Sequence, residues 1–198
     1  MEIKVAIQGI QGSFHHQVAH RYFGEAIGLD ECVTFRDVAN SLKNNQSDKA
    51  IMAIENSIAG AILPNYALID SNDLHIIGEY FLDIHMNLMV FPGQTIEEIQ
   101  EVHSHPIALL QCANFFSQYP HIKLVESSDT AITAKRIQEN QLKGIGALAG
   151  PVASEIYNLE IIADGIHTVK SNKTRFVVLK ASNKEIAKEL INKASIKF

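Results

Sequence analysis

Asn172-Lys173-Thr174-Arg175 stands directly before the apolar run Phe176-Val177-Val178-Leu179. An amide, a hydroxyl and a permanent cation therefore fall within four residues at the mouth of a predicted buried strand. Such a cluster can hold an anionic small molecule at the end of a sheet. Three further segments carry small or polar residues where a plain connection would not need them. They are Gly9-Ile10-Gln11-Gly12-Ser13-Phe14-His15, Ile54-Glu55-Asn56-Ser57-Ile58-Ala59-Gly60, and Ser104-His105-Pro106 with Gln111 beyond. All four adjoin predicted strands, which is where an open α/β fold places its ligand.

Each segment has a plain structural reading beside the chemical one. Gly9 and Gly12 flank a strand-to-helix turn, and the helix start offers free N–H groups to an anion. Equally, the turn can be a tight connection capped by Ser13. The spacing matches neither the dinucleotide fingerprint nor a phosphate loop with its lysine. Glu55, at the carboxyl end of a strand, either points into a ligand crevice or is a loop acid beside an Asn-Ser turn. Ser104 precedes a helix that it can cap. Gln111, among Ala108, Leu109, Leu110 and Cys112, is expected to be partly buried and so to need partners.

His16 and His20 lie one helical turn apart, but no third ligand has suitable spacing, so no metal is expected. Neither a Ser-His-Asp order nor Gly-x-Ser-x-Gly is present. Cys32 and Cys112 have no partner motif and read as reduced, buried thiols. The chain has 198 residues, 46% hydrophobic and 20% charged, with net charge −5. That balance, without a basic stripe, argues against nucleic acid as a partner. No apolar run approaches the ~18 residues that span a bilayer. Met1-Glu2-Ile3-Lys4-Val5 leads straight into a strand without the regions of a signal peptide, so a cytoplasmic protein is expected.

Strand and helix alternate almost throughout. Strands are predicted at Glu2–Gln8, Cys32–Phe35, Ala50–Ile54, His75–Ile84, Met86–Phe91, Glu101–Ser104, Ile122–Val125, Ile145–Leu148, Leu159–Ala163 and Lys173–Lys180. Helices are predicted at about Ser13–Phe23, Arg36–Asn44, from near Ala61 with Pro64 in its first turn, Pro106–Gln118, from a Ser127 or Ser128 cap through Ile137, Val152–Tyr157 and Lys184–Asn192. This pattern predicts a two-lobed α/β fold with mostly parallel sheets and a ligand cleft between the lobes. The first lobe is expected to be discontinuous, residues 1–77 plus 167–182, with the second at 78–166. Residues 183–198 are expected to be a linking helix and the start of a further domain.

Taken together, the segments resemble the catalytic domain of prephenate dehydratases. Asn172, Thr174, Arg175 and Phe176 meet that family's Asn-x-Thr-Arg-Phe signature. Glu55, Asn56 and Ser57 meet its Glu-Asn-Ser segment, and Ser104, His105, Pro106, Gln111 and Cys112 its Ser-His-Pro…Gln-Cys segment. The opening is similar through Gly9, Gly12, Ser13, Phe14 and Gln17, and the later stretch through Ala149, Ala153, Tyr157 and Leu159. The resemblance runs in order from residue 3 to about 180. Ile10, His15, Asp129 and Thr168 depart from the usual proline, serine, serine and aspartate.

The resemblance implies two α/β lobes like those of periplasmic binding proteins and a cofactor-free lyase. Prephenate would be its substrate and phenylpyruvate its product. It implies catalytic roles for Thr174, Glu55, Asn56 and Gln111, and substrate contacts from Ser13, Ser57, Ser104, Thr130, Asn172 and Arg175. Strand alternation leaves Arg175 two possibilities, a substrate carboxylate or the orientation of Glu55. The family also implies a homodimer, with phenylalanine as an effector only through a C-terminal ACT domain, of which residues 192–198 would be the entry. The alternatives are arogenate as substrate, where an amino group replaces the keto oxygen, or a non-catalytic module binding a small anion.

Overall fold

The computed structural model describes residues 2–181 and Lys193. From the N-terminus, β1 (Ile3–Gln8) leads through the Gly9–Ser13 turn into α1 (Phe14–Phe23). Then come β2 (Ile27–Cys32), α2 (Phe35–Lys43), β3 (Lys49–Asn56), the short β4 (Gly60–Ala61), α3 (Leu63–Ser71) and β5 (His75–Asp83). The chain crosses over and forms β6 (Asn87–Val90), β7 (Glu101–Ser104), α4 (Pro106–Gln111), α5 (Ala113–Phe116), β8 (Lys123–Glu126) and α6 (Thr130–Asn140). After β9 (Ile145–Ala149), α7 (Pro151–Tyr157) and β10 (Glu160–Ala163) it returns to the first lobe as β11 (Lys173–Lys180).

The strands form two sheets. The first has the order β2-β1-β3-β11-β5, with β4 paired to β3, and the second has β10-β6-β9-β7-β8. This is the expected two-lobed α/β architecture, but each sheet is mixed rather than mostly parallel. β1 is parallel to β2 and β3, and β7 to β8 and β9. β11 is antiparallel to both β3 and β5, and β6 to both β9 and β10. Apart from the β3–β4 hairpin, the antiparallel pairs involve strands next to a lobe crossing. A strand that returns from the other lobe enters the sheet from the opposite end.

Strand alternation divides the interior into three apolar layers. Val5, Ile7, Ile51, Phe176 and Val178 share one layer with Leu88, Val90 and Leu148 of the second sheet, bridged by Leu82, Ile84 and Met86 at the crossing. Ala6, Met52, Ile54, Val177 and Leu179 face the other way, toward Val38 and Leu42 of α2 and Ile69 of α3. In the second lobe Met89, Ala147 and Ala149 pack with Ala134 and Ile137 of α6 and Ala153 of α7. The shared first layer makes the two lobes one packed body.

Local expectations shift where tertiary context wins. β2 is Ile27–Cys32, not Cys32–Phe35, because Thr34 and Asp37 close a reciprocal capping box that starts α2. The helix expected over Pro106–Gln118 is broken at Cys112, whose φ of −108° and ψ of 8° end α4. Asp129, rather than Ser127 or Ser128, caps α6 by accepting the Ala131 N–H at 2.7 Å. β5 pairs with β11 as far as Lys173↔Asp83, so the lobe boundary expected after residue 77 falls inside a strand of the first sheet. The crossings lie instead around Ile84–Met86, where the Ile84 N–H donates to the Asn172 carbonyl and the Ile166 N–H to the Met86 carbonyl, both at 2.8 Å. The helix expected at Lys184–Asn192 lies outside the described residues. Among the described residues no helix is long and apolar enough to cross a membrane.

Phe176 is the largest fully buried side chain and anchors the shared layer directly beneath Thr174. Replacing it with alanine is expected to destabilise the protein by about 3–5 kcal/mol. The shift of the urea unfolding midpoint at unchanged m-value measures this; a loss below about 1 kcal/mol would contradict the packing described.

Candidate active site

Where β3 and β11 end side by side, Thr174 lies opposite Asn56 and Arg175 opposite Glu55, whereas Phe176 lies opposite Ala53. One extra residue, Ile54, is thus bulged out of β3. In a regular strand Ala53 and Glu55 would share a face. The bulge swaps the last two positions, which puts Asn56 on the inner face with Thr174 and sends Glu55 outward.

The inner face carries a chain of amides. Asn56 Nδ2 donates to Thr174 Oγ1 at 2.9 Å and to Asn172 Oδ1 at 2.7 Å. Asn172 Nδ2 in turn donates to Gln111 Oε1 at 3.0 Å. Asn56 Oδ1 accepts the N–H groups of Ile58 and Ala59, each at 3.0 Å. Asn172 is wholly buried, and Thr174 retains 8% exposure. Gln111 comes from the end of α4 in the second lobe, and its carbonyl also accepts the Thr168 N–H from the returning segment. Residues from three stretches distant in sequence, around 56, 111 and 172–174, are therefore brought together where the lobes meet.

The outer face holds a separate charge cluster. Arg175 donates through Nε to Glu79 at 2.8 Å and lies 3.6 Å from Glu55. Its guanidinium sits 5.9 Å from the centre of the Phe81 ring. Lys193 also bonds Glu79, and hydrogen bonds from Lys193 and Arg175 hold that carboxyl below its usual range. Alternation thus takes Arg175 and Glu55 away from the Thr174 face and gathers them with Glu79 in an ion-pair cluster. Ser57 stitches the adjacent loop, accepting from the Lys173 N–H at 2.9 Å and donating to the Ser171 carbonyl. Ser104 is fully buried and gives its hydroxyl to the Leu148 carbonyl at 2.6 Å, a bond that ties β7 to β9.

The opposing wall is the turn after β1. Gly9 and Gly12 have φ of 93° and 88°, in the region that favours glycine. They also lie close to the second lobe. A methyl on Gly9 would fall 2.7 Å from Asp129 Oδ2, and one on Gly12 would meet Tyr157 and Ala153 at 3.0–3.4 Å. Tyr157 donates its hydroxyl to the Gln11 carbonyl at 2.6 Å, which ties α7 to this turn. Ser13 caps α1 by accepting the His16 N–H at 3.2 Å, and Thr130 is buried at the first position of α6. Burial raises the Asp129 carboxyl, against backbone N–H groups that lower it.

The histidines of α1 have structural partners. His16 Nδ1 accepts the Gly12 N–H, and His20 lies 3.0 Å from Glu25. His15 is buried between Phe35 and Phe176 and accepts the Ala53 N–H on Nε2. Among the described residues no group of three or more His, Cys, Asp or Glu is placed to hold a metal ion. Both cysteines are buried free thiols, and burial pushes Cys112 up to about 12. Sequence reasoning missed Asp129 as the cap of α6 and the bond from Tyr157 to Gln11. Their signals were an acid directly before Thr130 and a tyrosine at the end of an alanine-rich helix, neither of which names its partner across the lobes.

The chain is similar to known proteins along most of its length. The sequence profile of the prephenate dehydratase family matches residues 5–184. A bifunctional chorismate mutase/prephenate dehydratase of Buchnera aphidicola is 32% identical over 96% of this chain and 50% of its own. A chloroplastic arogenate dehydratase/prephenate dehydratase of Arabidopsis thaliana is 35% identical over 89% of this chain and 43% of its own. The chain thus spans about half the length of the curated relatives it matches. The prephenate dehydratase of Arthrobacter aurescens, solved in complex with L-Phe, superposes with a TM-score of 0.81 at 24% identity, over 90% of this chain and 60% of that one. That likeness shows the shared fold.

Burial lowers His15 from 6.5 to about 3. The unfolded chain therefore takes up this proton at a higher pH than the folded one. Stability present above pH 6.5 is expected to fall as pH drops from there toward 3, at up to about 1.4 kcal/mol per pH unit for this group. Urea titrations across that window should show a shallower slope for His15→Gln, whose amide oxygen keeps an acceptor for the Ala53 N–H. An unchanged slope would show that His15 does not titrate this way.

Proposed function

This chain belongs to the prephenate dehydratase family, and we propose that it converts prephenate to phenylpyruvate, carbon dioxide and water, with Thr174 acting on the departing hydroxyl. The bond from Asn56 Nδ2 to Thr174 Oγ1 carries this reading. A hydroxyl that accepts from an amide keeps its own hydrogen free to donate. In this site that hydrogen is available to a substrate oxygen between the lobes.

The chemistry asks little else of the protein. The bond from the ring to its carboxylate breaks, and carbon dioxide leaves. The electron pair enters the ring, and the C4–oxygen bond breaks. The oxygen departs as hydroxide and becomes water on taking a proton that solvent finally supplies. The ring gains aromaticity, so the drive is internal to the substrate. Threonine is too weak an acid to surrender its proton outright. Its hydrogen bond instead strengthens as the leaving oxygen gains charge, which is stabilisation of the transition state over the ground state. The hydroxyl of Ser13, which accepts the His16 N–H and so keeps its own hydrogen, and the hydroxyl of Thr130 offer donors to the substrate carboxylates on the opposing wall. Arg175 acts from the outer face, holding Glu55 and Glu79 and so the end of β11.

A second reading, arogenate as the preferred substrate, is favoured by Asp129. Its carboxylate is largely withdrawn from water where the second lobe faces Gly9. Such a group repels a second carboxylate and attracts an ammonium. The reading extends to a cytoplasmic homodimer without nucleic-acid or membrane partners, and to phenylalanine control where a regulatory domain is attached. Among the described residues β5 ends its sheet and leaves Phe81 half exposed, a surface that edge-to-edge pairing of two copies would use.

With prephenate, phenylpyruvate is expected to accumulate, as read by its absorbance in alkali. Thr174→Ala should cut turnover ~10²–10³-fold with folding intact, and Thr174→Ser should retain more. Near-normal turnover in the alanine variant would remove Thr174 from the reaction. In parallel, kcat/KM for arogenate over prephenate is expected to fall in Asp129→Ser, which keeps a helix cap. An unchanged ratio would reject the second reading.

A further inference from the structure

We infer that Asn172 is a positioning residue that fixes the polarity of the amide chain, so that both ends of that chain, Thr174 and Gln111, present hydrogen-bond donors to the substrate. The inference rests on the dehydratase reading of the same site. It assigns Asn172 no contact with substrate.

The polarity follows from counting protons. Asn56 Oδ1 is held by two backbone N–H groups, those of Ile58 and Ala59, and a backbone N–H cannot become an acceptor. Asn56 therefore cannot turn its amide over, and its two Nδ2 hydrogens serve Asn172 Oδ1 at 2.7 Å and Thr174 Oγ1 at 2.9 Å, with the Lys173 carbonyl farther off at 3.3 Å. Because Asn172 receives one of them, its oxygen faces Asn56 and its nitrogen faces Gln111. Gln111 must then offer Oε1 to Asn172. Its two Nε2 hydrogens are left for the other side of its amide plane, on a side chain that is only half-buried. At the other end Thr174 accepts from Asn56 and keeps its O–H to give. The direction set by two backbone groups in the first lobe thus passes through a wholly buried asparagine to an amide of the second lobe. Two donors converging from different lobes suit a substrate whose acceptors are anionic or become so in the reaction.

Asn172 is an inner member of the chain, joined to Asn56 on one side and to Gln111 on the other, so it can be altered without removing a substrate-facing group. Asn172→Asp is nearly isosteric, and the introduced carboxylate still accepts from Asn56. It cannot donate, so Gln111 must turn over and present its oxygen to the anionic substrate. Protonating the introduced carboxyl restores a donor toward Gln111 and the native polarity.

The test is kcat/KM of the wild-type protein and of Asn172→Asp with prephenate, from about pH 8 to about pH 5. The variant is expected ~10²-fold below wild type at the alkaline end and to approach it on acidification. A buried asparagine that only fills space would give a ratio of variant to wild type that does not change with pH. That result, or an unimpaired variant, overturns the inference while leaving the dehydratase reading in place. Should Asn172→Asp not fold, Gln111→Glu decides. Its carboxylate still accepts from Asn172 but has lost the N–H groups, so kcat/KM should fall, and wild-type kinetics would overturn the inference. If the wild-type protein turns over neither prephenate nor arogenate, the functional reading fails by itself. The polarity is then read from thermal unfolding, where Asn172→Asp should lose Tm relative to wild type at about pH 8 and regain it at about pH 5. A Tm difference independent of pH would overturn it.

Discussion

The fixed orientation of the Asn56 carboxamide is the constraint on which the site depends. Two backbone N–H groups of the Ile58–Ala59 turn hold its oxygen, and its nitrogen is thereby committed to Thr174 and Asn172. A side-chain amide in water can exchange its two ends at little cost. One held by backbone donors cannot, because reversal would set N–H against N–H in a partly buried place. Every hydrogen-bond direction from Thr174 to Gln111 follows from that arrangement.

The β-bulge at Ile54 makes the arrangement possible. Side chains of a strand alternate between faces, so one added residue exchanges the face of everything beyond it. With the bulge, the amide meets the hydroxyl on the inner face and the acid meets the guanidinium on the outer one. The inner face of β3 and β11 is polar and uncharged here, and the charges of Glu79, Glu55, Arg175 and Lys193 are gathered on the outer face, where they pair with one another.

The lobes are joined at two levels. The crossing strands exchange backbone hydrogen bonds at Ile84–Asn172 and Met86–Ile166, and the shared apolar layer beneath them contains Phe176. On the opposing wall, Tyr157 bonds Gln11, and Gly9 and Gly12 allow a close approach that a side chain would block. The site lies between these contacts. Gln111 joins both levels, since its carbonyl takes the Thr168 N–H and its side chain ends the amide chain.

The sequence by itself determined the alternation of strands and helices, the two-lobed class and the segments that carry chemistry. Apolar periodicity and turn residues act locally, and the Asn-x-Thr-Arg-Phe and Glu-Asn-Ser spacings survive in linear order. It also singled out Asn56, Thr174, Asn172 and Gln111, which the fold brings into one hydrogen-bonded chain. The tertiary structure alone decided which neighbour in each pair faces inward. Glu55 and Asn56 are adjacent, as are Thr174 and Arg175, and a one-residue bulge in β3 decided which of the first pair shares a face with Thr174. The antiparallel entry of β11, the burial of Ser104 against Leu148 and the bond between Tyr157 and Gln11 were likewise settled by strands and helices far apart in the chain. The physical reason is the same in each case. Register and lobe contact are properties of pairs of segments, and a single segment's pattern does not contain its partner.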